Sequence, residues 1–250
     1  MAGGRRPSND RGVEGEARMA GEFARLAASP VFYGAGVPRG DGRPVLVLPG
    51  LFGNDLYLGP LHGWLMRVGY RPVISTIPLN AGCPDRLRER AQSALETAAR
   101  GRKGQVAIIG HSRGGMLGWS IAAELGERVS HLCLLGSPAG ALARMLQQNR
   151  FDIRAIPANS AVVNAGRAAQ RVLTPRCDFP ACGCAYVRAL GRGLSPSTKV
   201  ISIFSTDDPI VPAEACPVPG ATNVEVTGSH SGLAQNVAVY RELGRFLASG

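Results

Sequence analysis

The sequence predicts an α/β fold, an open and mostly parallel sheet covered by helices on both faces. Two observations predict it: short β-rich runs alternate with helical ones along most of the chain, and 250 residues of which 45% are hydrophobic supply one sizeable core. The first element is a helix over Glu14 to Ser29, where Met19, Phe23 and Leu26 share a face and Glu14, Glu16 and Arg25 suit the helix dipole. Residues 1–13 are expected to be a disordered terminus, and 14–250 a single domain. Buried parallel strands follow at Pro44 to Leu48, Pro72 to Ile77, Gln105 to Ile109, Val129 to Leu135, Lys199 to Phe204 and Asn223 to Val226. Between them, Met116, Leu117, Ile121 and Leu125 mark one helical apolar face, and Leu233, Val237, Tyr240, Leu243 and Leu247 another. The alternation breaks at about 137–197, which carries helical stretches at Leu142 to Gln148 and Val162 to Val172, several prolines and a cysteine-rich turn. An excursion from the carboxyl end of a strand stands at the ligand-binding edge, so this insertion is either a cap or a packing element.

Composition excludes several function classes. The net charge is +10, but the arginines are dispersed and aromatics are only 6%, so a nucleic-acid footprint is missing. No apolar run reaches the roughly 18 residues of a membrane span. Arg5 and Arg6 lack a following apolar segment, so no export signal is read and the expected address is cytoplasmic. Gly34-Ala-Gly36 precedes a strand instead of following one, which rejects a dinucleotide fingerprint.

The chemistry lies in Val106-Ala-Ile-Ile-Gly-His-Ser-Arg-Gly-Gly115, where Gly110, Ser112 and Gly114 form G-x-S-x-G between a predicted strand and a predicted helix. Such a turn lifts a serine hydroxyl above the sheet and sets helix N–H groups beside it. A serine needs a general base, and a base needs an orienting carboxylate. Of the four histidines, His62 falls in a helical stretch, His111 lies inside the turn and His131 begins a buried strand. His230 sits in the polar loop Gly228-Ser-His-Ser-Gly232 before the closing helix, where an imidazole can reach back over the sheet edge. The loop after the penultimate strand offers both Asp207 and Asp208. The first strand ends in Pro49-Gly-Leu-Phe-Gly53, a turn able to aim the main-chain N–H of Leu51 at the oxygen addressed by that of Arg113.

Taken together, Pro49-Gly50-Leu51, Gly110-His111-Ser112-Arg113-Gly114, Asp208-Pro-Ile-Val-Pro212 and His230 resemble the α/β-hydrolase superfamily, especially its small lipases and esterases. The resemblance spans about Pro44 to Leu247. It implies a triad of Ser112, Asp208 and His230, with Asp208 preferred over Asp207, and backbone oxyanion donors at Leu51 and Arg113. Pro49 stands where many relatives carry a histidine, and the first two strands of the full sheet are missing. The implied activity is hydrolysis of apolar acyl esters through an acyl-enzyme, with neither cofactor nor metal. The substrate is a small acyl ester, and peripheral contact with lipid stays open. A thioesterase, an acyltransferase and a non-catalytic binder on the same scaffold are the alternatives.

Cys133 reads as a core residue within its strand, while Cys83, Cys177, Cys182, Cys184 and Cys216 fall in loops at the rim that carries Ser112. Reduced thiols, disulfides clasping the insertion and a metal site are all compatible with the spacing. Cys-x4-Cys-x-Cys is not a common zinc pattern.

Overall fold

A computed structural model of the chain describes residues 10–101 and 104–249, with side chains from Met19 onward. Six strands, β1 (Pro44–Leu48), β2 (Arg71–Ile74), β3 (Val106–His111), β4 (Val129–Leu135), β5 (Lys199–Phe204) and β6 (Thr222–Glu225), form one sheet in the order β2-β1-β3-β4-β5-β6. Every pairing is parallel. The order reverses between β1 and β3, so the chain leaves their carboxyl ends in opposite directions and opens a crevice there.

The period of two along each strand divides the apolar residues between two cores. Val45, Val47, Ala107, Ile109, Cys133 and Leu135 face one core, closed by α1 (Asp10–Ala27), α2 (Gly59–Arg67) and α8 (Val237–Leu247). Leu46, Leu48, Ile108, Leu132 and Leu134 face the other, closed by α3 (Pro84–Ala99), α4 (Arg113–Leu125), α5 (Ala139–Gln147) and α7 (Ala185–Leu190). This two-sided burial is why the central strands read as continuous apolar runs.

Differences from the expected boundaries have identifiable causes, some local and some set by distant partners. The first helix begins at Asp10, so the expected disordered 1–13 overlaps it by four residues, while 1–9 lie outside the described residues; an aspartate suits a helix start. It ends at Ala27, because the side chain of Ser29 caps the short 3-10 helix Pro30–Tyr33. β2 stops at Ile74 and not Ile77: Asp55 Oδ1 takes both the N–H and the hydroxyl of Ser75, at 3.0 and 2.7 Å, and Thr76 turns to φ 59°. β3 runs to His111, since Gly110 and His111 pair with Leu134 and Leu135.

Within 137–197 the two ends belong to the sandwich. Ala139 to Ala143 of α5 and Tyr186, Ala189 and Leu190 of α7 are buried. Only the middle, built around α6 (Ser160–Leu173), stands over the carboxyl edge of the sheet. Among the described residues no helix is long and apolar enough to cross a membrane.

The contrast between centre and edge yields a stability prediction. Ile108 is fully buried and Ile74 is 58% exposed. Ile108→Ala should cost about 2–5 kcal/mol, and Ile74→Ala under about 0.5 kcal/mol, read by urea unfolding.

Candidate active site

Ser112 occupies the turn between β3 and α4 with φ 53° and ψ −124°, a conformation that costs a non-glycine residue energy. The fold holds it there through several bonds. Its N–H donates to the Leu135 carbonyl at 2.7 Å, and its carbonyl accepts from the Ser137 hydroxyl at 2.8 Å and from the Gly115 N–H at 2.9 Å. The flanking glycines are required by space. A Cβ on Gly110 would lie 2.5 Å from the Gly114 carbonyl oxygen, and one on Gly114 would lie 2.4 Å from that of Leu48.

The turn after β1 lies alongside. Asn80 fixes it: its side-chain amide donates to the Pro49 carbonyl at 2.7 Å, its carbonyl accepts from the Phe52 N–H, and its N–H donates to Gly53. Among the described residues neither the N–H of Leu51 nor that of Arg113 shows a hydrogen bond to another backbone group outside the helices and strands. The Arg113 guanidinium is occupied elsewhere, on the carbonyls of Asn80 at 3.2 Å and Gly82 at 2.8 Å, so this side chain is a brace for the loop after β2.

Asp208 is the carboxylate that reaches the histidine. Its Oδ2 lies 2.5 Å from Nδ1 of His230, and its Oδ1 accepts the N–H groups of Ile210 at 2.7 Å and Val211 at 3.0 Å. Its side chain is 1% exposed. Asp207 is exposed and lines a separate hollow with Glu22 and Arg25. Because Asp208 holds Nδ1, the Nε2 side of the imidazole is the side open to other partners. Among the described residues no hydrogen bond joins that ring to Ser112 Oγ; the two groups meet as walls of one cavity of about 570 Å³, shared with Leu51, Phe52 and Tyr57. A second cavity of about 200 Å³ also reaches Ser112 and runs under α6, lined by Met116, Val162, Val163, Gly166 and Phe179. A larger hollow of about 900 Å³, beside Leu146, Val218 and Phe246, contains none of the candidate residues.

Three supports of the His230 loop have no role the sequence motifs predict. Glu22 of α1 accepts the N–H of Ser229 at 2.8 Å and its hydroxyl at 2.7 Å. The Tyr57 hydroxyl donates to the Ser231 carbonyl. His111 donates from Nε2 to the His230 carbonyl at 2.8 Å, with the two rings 4.8 Å apart. A carbonyl only accepts, so His111 carries its proton on Nε2, and its buried Nδ1 has no partner among the described residues. Burial, and then the neighbouring His230, push the His111 pKa down to about 3.

No protein-family profile matches the chain, and no curated protein sequence does. Solved structures do. A lipase of Bacillus licheniformis in mature form superposes over 84% of this chain and 94% of its own, with TM-score 0.52 and 15% identity. An alpha/beta hydrolase enzyme from a metagenome of lagoon sediments at Mar Chica, Morocco, covers 82% and 90%, with TM-score 0.51 and 15% identity. A structure reported with carboxylesterases of the thaumarchaeon Nitrososphaera gargenis covers 84% and 92%, with TM-score 0.50 and 17% identity. The chain has the α/β-hydrolase fold.

The buried neutral His111 makes stability depend on pH. Its pKa falls from 6.5 to about 3 on folding, so between those values the unfolded chain binds more protons and stability drops as pH falls. Above pH 6.5 this contribution is complete. Urea titrations of wild type and His111→Gln from pH 7 to pH 5 should show a shallower loss in the variant; parallel curves would mean that His111 is not the group responsible.

Proposed function

We propose that the protein is a serine hydrolase that cleaves carboxylic esters with apolar acyl groups. One observation carries the reading: a strained serine at a strand-to-helix turn opens onto the same cavity as a histidine whose far nitrogen is bound by a buried aspartate. The site is the argument, because this fold hosts many chemistries.

In the proposed mechanism Ser112 Oγ attacks the acyl carbonyl while His230 Nε2 takes its proton, and the imidazole returns that proton to the leaving alcohol. Water, activated by the same nitrogen, then releases the acid. Asp208 fixes the ring and stabilises the imidazolium. The N–H groups of Leu51 and Arg113 receive the oxyanion, each worth about 3 kcal/mol in the transition state. The missing Ser112 to His230 hydrogen bond fits a resting site, since such contacts tighten when substrate binds. The apolar cavity under α6 suits the acyl chain, and the more polar one beside Tyr57 and Ser231 suits the alcohol.

A fluorophosphonate should label wild type and not Ser112→Ala, which distinguishes an enzyme from a binder. Asp208→Asn should lower kcat by about 10⁴-fold and Asp207→Asn by less than about twofold; the reverse order would reject this triad. Thioesters and added alcohol acceptors, assayed in parallel, separate hydrolysis of esters from thioester cleavage and acyl transfer.

Acyl length should be read by Gly166. A Cβ added there would lie 3.0 Å from Leu51 Cδ2. Gly166→Leu should lower kcat/KM for hexanoyl relative to acetyl esters by about tenfold or more. An unchanged ratio would place the acyl chain elsewhere.

A further inference from the structure

The insertion meets the loop after β2 at a cluster of thiols that the hydrolytic site does not use. Cys182 and Cys184 hold their sulfurs 2.9 Å apart. Cys177 follows α6 on the turn where its N–H donates to the Thr174 carbonyl at 2.9 Å, and Thr174 packs beside Gly82, the neighbour of Cys83, which is the N-cap residue of α3. Two further contacts fix this junction. A Cβ built on Gly82, beside Cys83, would lie 3.5 Å from the Thr174 methyl, and the carboxylate of Asp85 accepts the Tyr186 N–H at 2.7 Å. Gln170, 4% exposed, spans the turn by donating to the carbonyls of Cys177 at 3.4 Å and Phe179 at 3.1 Å. The other two cysteines stand apart. Cys133 lies in the core within β4, and Cys216 packs with Phe204 and Val211 where the chain leaves β5.

We propose that these four cysteines are an oxidation site for two disulfides: Cys83 with Cys177, tying the insertion to the sheet edge, and Cys182 with Cys184, closing the turn within it. Geometry favours pairs over a metal cage, because among the described residues no group of three or more His, Cys, Asp or Glu is arranged to hold a metal ion. Burial, and then the facing Cys83 thiol, push Cys177 up to about 12; burial, and then Cys182, push Cys184 up to about 11. Thiols held protonated react through a small thiolate fraction, so their oxidation is slow at neutral pH.

The oxidant is a low-molecular-weight disulfide such as oxidised glutathione. In each pair one protein thiolate attacks the S–S bond of the oxidant, forms a mixed disulfide and expels one glutathione thiolate. The second protein thiolate then attacks the protein sulfur of that mixed disulfide and expels the other. Two thiols of the protein lose two electrons and two protons, and the oxidant gains them as two thiols. The first cross-link would fix the segment after α6 beside Gly82, whose carbonyl holds the Arg113 side chain. The proposal does not depend on ester hydrolysis.

The test is an alkylation count on the full-length chain. After incubation with oxidised glutathione, denaturation and N-ethylmaleimide, intact mass should show two modified cysteines of the six, Cys133 and Cys216, against six in the dithiothreitol control. Non-reducing peptide maps should place one bond between Cys83 and Cys177 and one between Cys182 and Cys184. In the oxidised protein, Cys83→Ser should leave only Cys177, and Cys184→Ser only Cys182, newly outside a protein disulfide, either alkylated or carrying one glutathione. Six modified cysteines after oxidation, any other pairing, or one equivalent of zinc retained by the reduced protein after dialysis would overturn the proposal. None of these readouts uses activity, so it can fail while the hydrolase reading stands.

Discussion

The strained backbone at Ser112 is the constraint on which the rest of the site depends. A positive φ at a non-glycine residue persists only where its surroundings overdetermine it. Here they do so from three sides: β4 binds the Ser112 N–H through Leu135, Ser137 binds its carbonyl, and Gly110 and Gly114 bring β1, β3 and α4 within distances that a methyl group would prevent. The same closeness puts the turn after β1 beside the serine. A substitution at either glycine would therefore move Ser112 and the Leu51 N–H together.

A second rigid group supports the histidine. Asp208 has no spare oxygen, since one is held by two backbone N–H groups and the other by His230. The loop of His230 is held from beneath by the neutral ring of His111, from α1 by Glu22 and from α2's approach by Tyr57. Keeping His111 neutral avoids a second positive charge 4.8 Å from a ring that has to become cationic in the proposed mechanism. The cost is acid sensitivity, because a buried neutral imidazole is lost to protonation in the unfolded chain.

Much of the architecture was legible because it rests on local patterns. β1, β4 and β5 have the boundaries their apolar runs predict, and the run after Ile109 could be read as a turn because G-x-S-x-G needs one. Misread positions are those set by distant partners. Ser75 leaves β2 for Asp55, twenty residues away, and Leu233 stands in a 3-10 turn ahead of α8, which starts where the Asn236 side chain caps it. Similarly, sequence periodicity does not mark α7, because six residues with a cysteine-glycine approach carry little periodicity of their own. Its burial against α4 is tertiary.

The sequence by itself determined the fold class, the order of the chemical groups along the chain and the residue types at the turn, since each follows from periodicity or from the space a motif needs. Only the tertiary structure decided which of two adjacent aspartates meets His230, which turns His111 and Glu22 into supports of one loop, and which four cysteines share a junction. The physical reason is that these contacts join separate loops, from 22 residues apart for Asp208 and His230 to 207 for Glu22 and Ser229. Their partners are chosen where strand order reverses and loops converge, and no window of neighbouring residues contains that information.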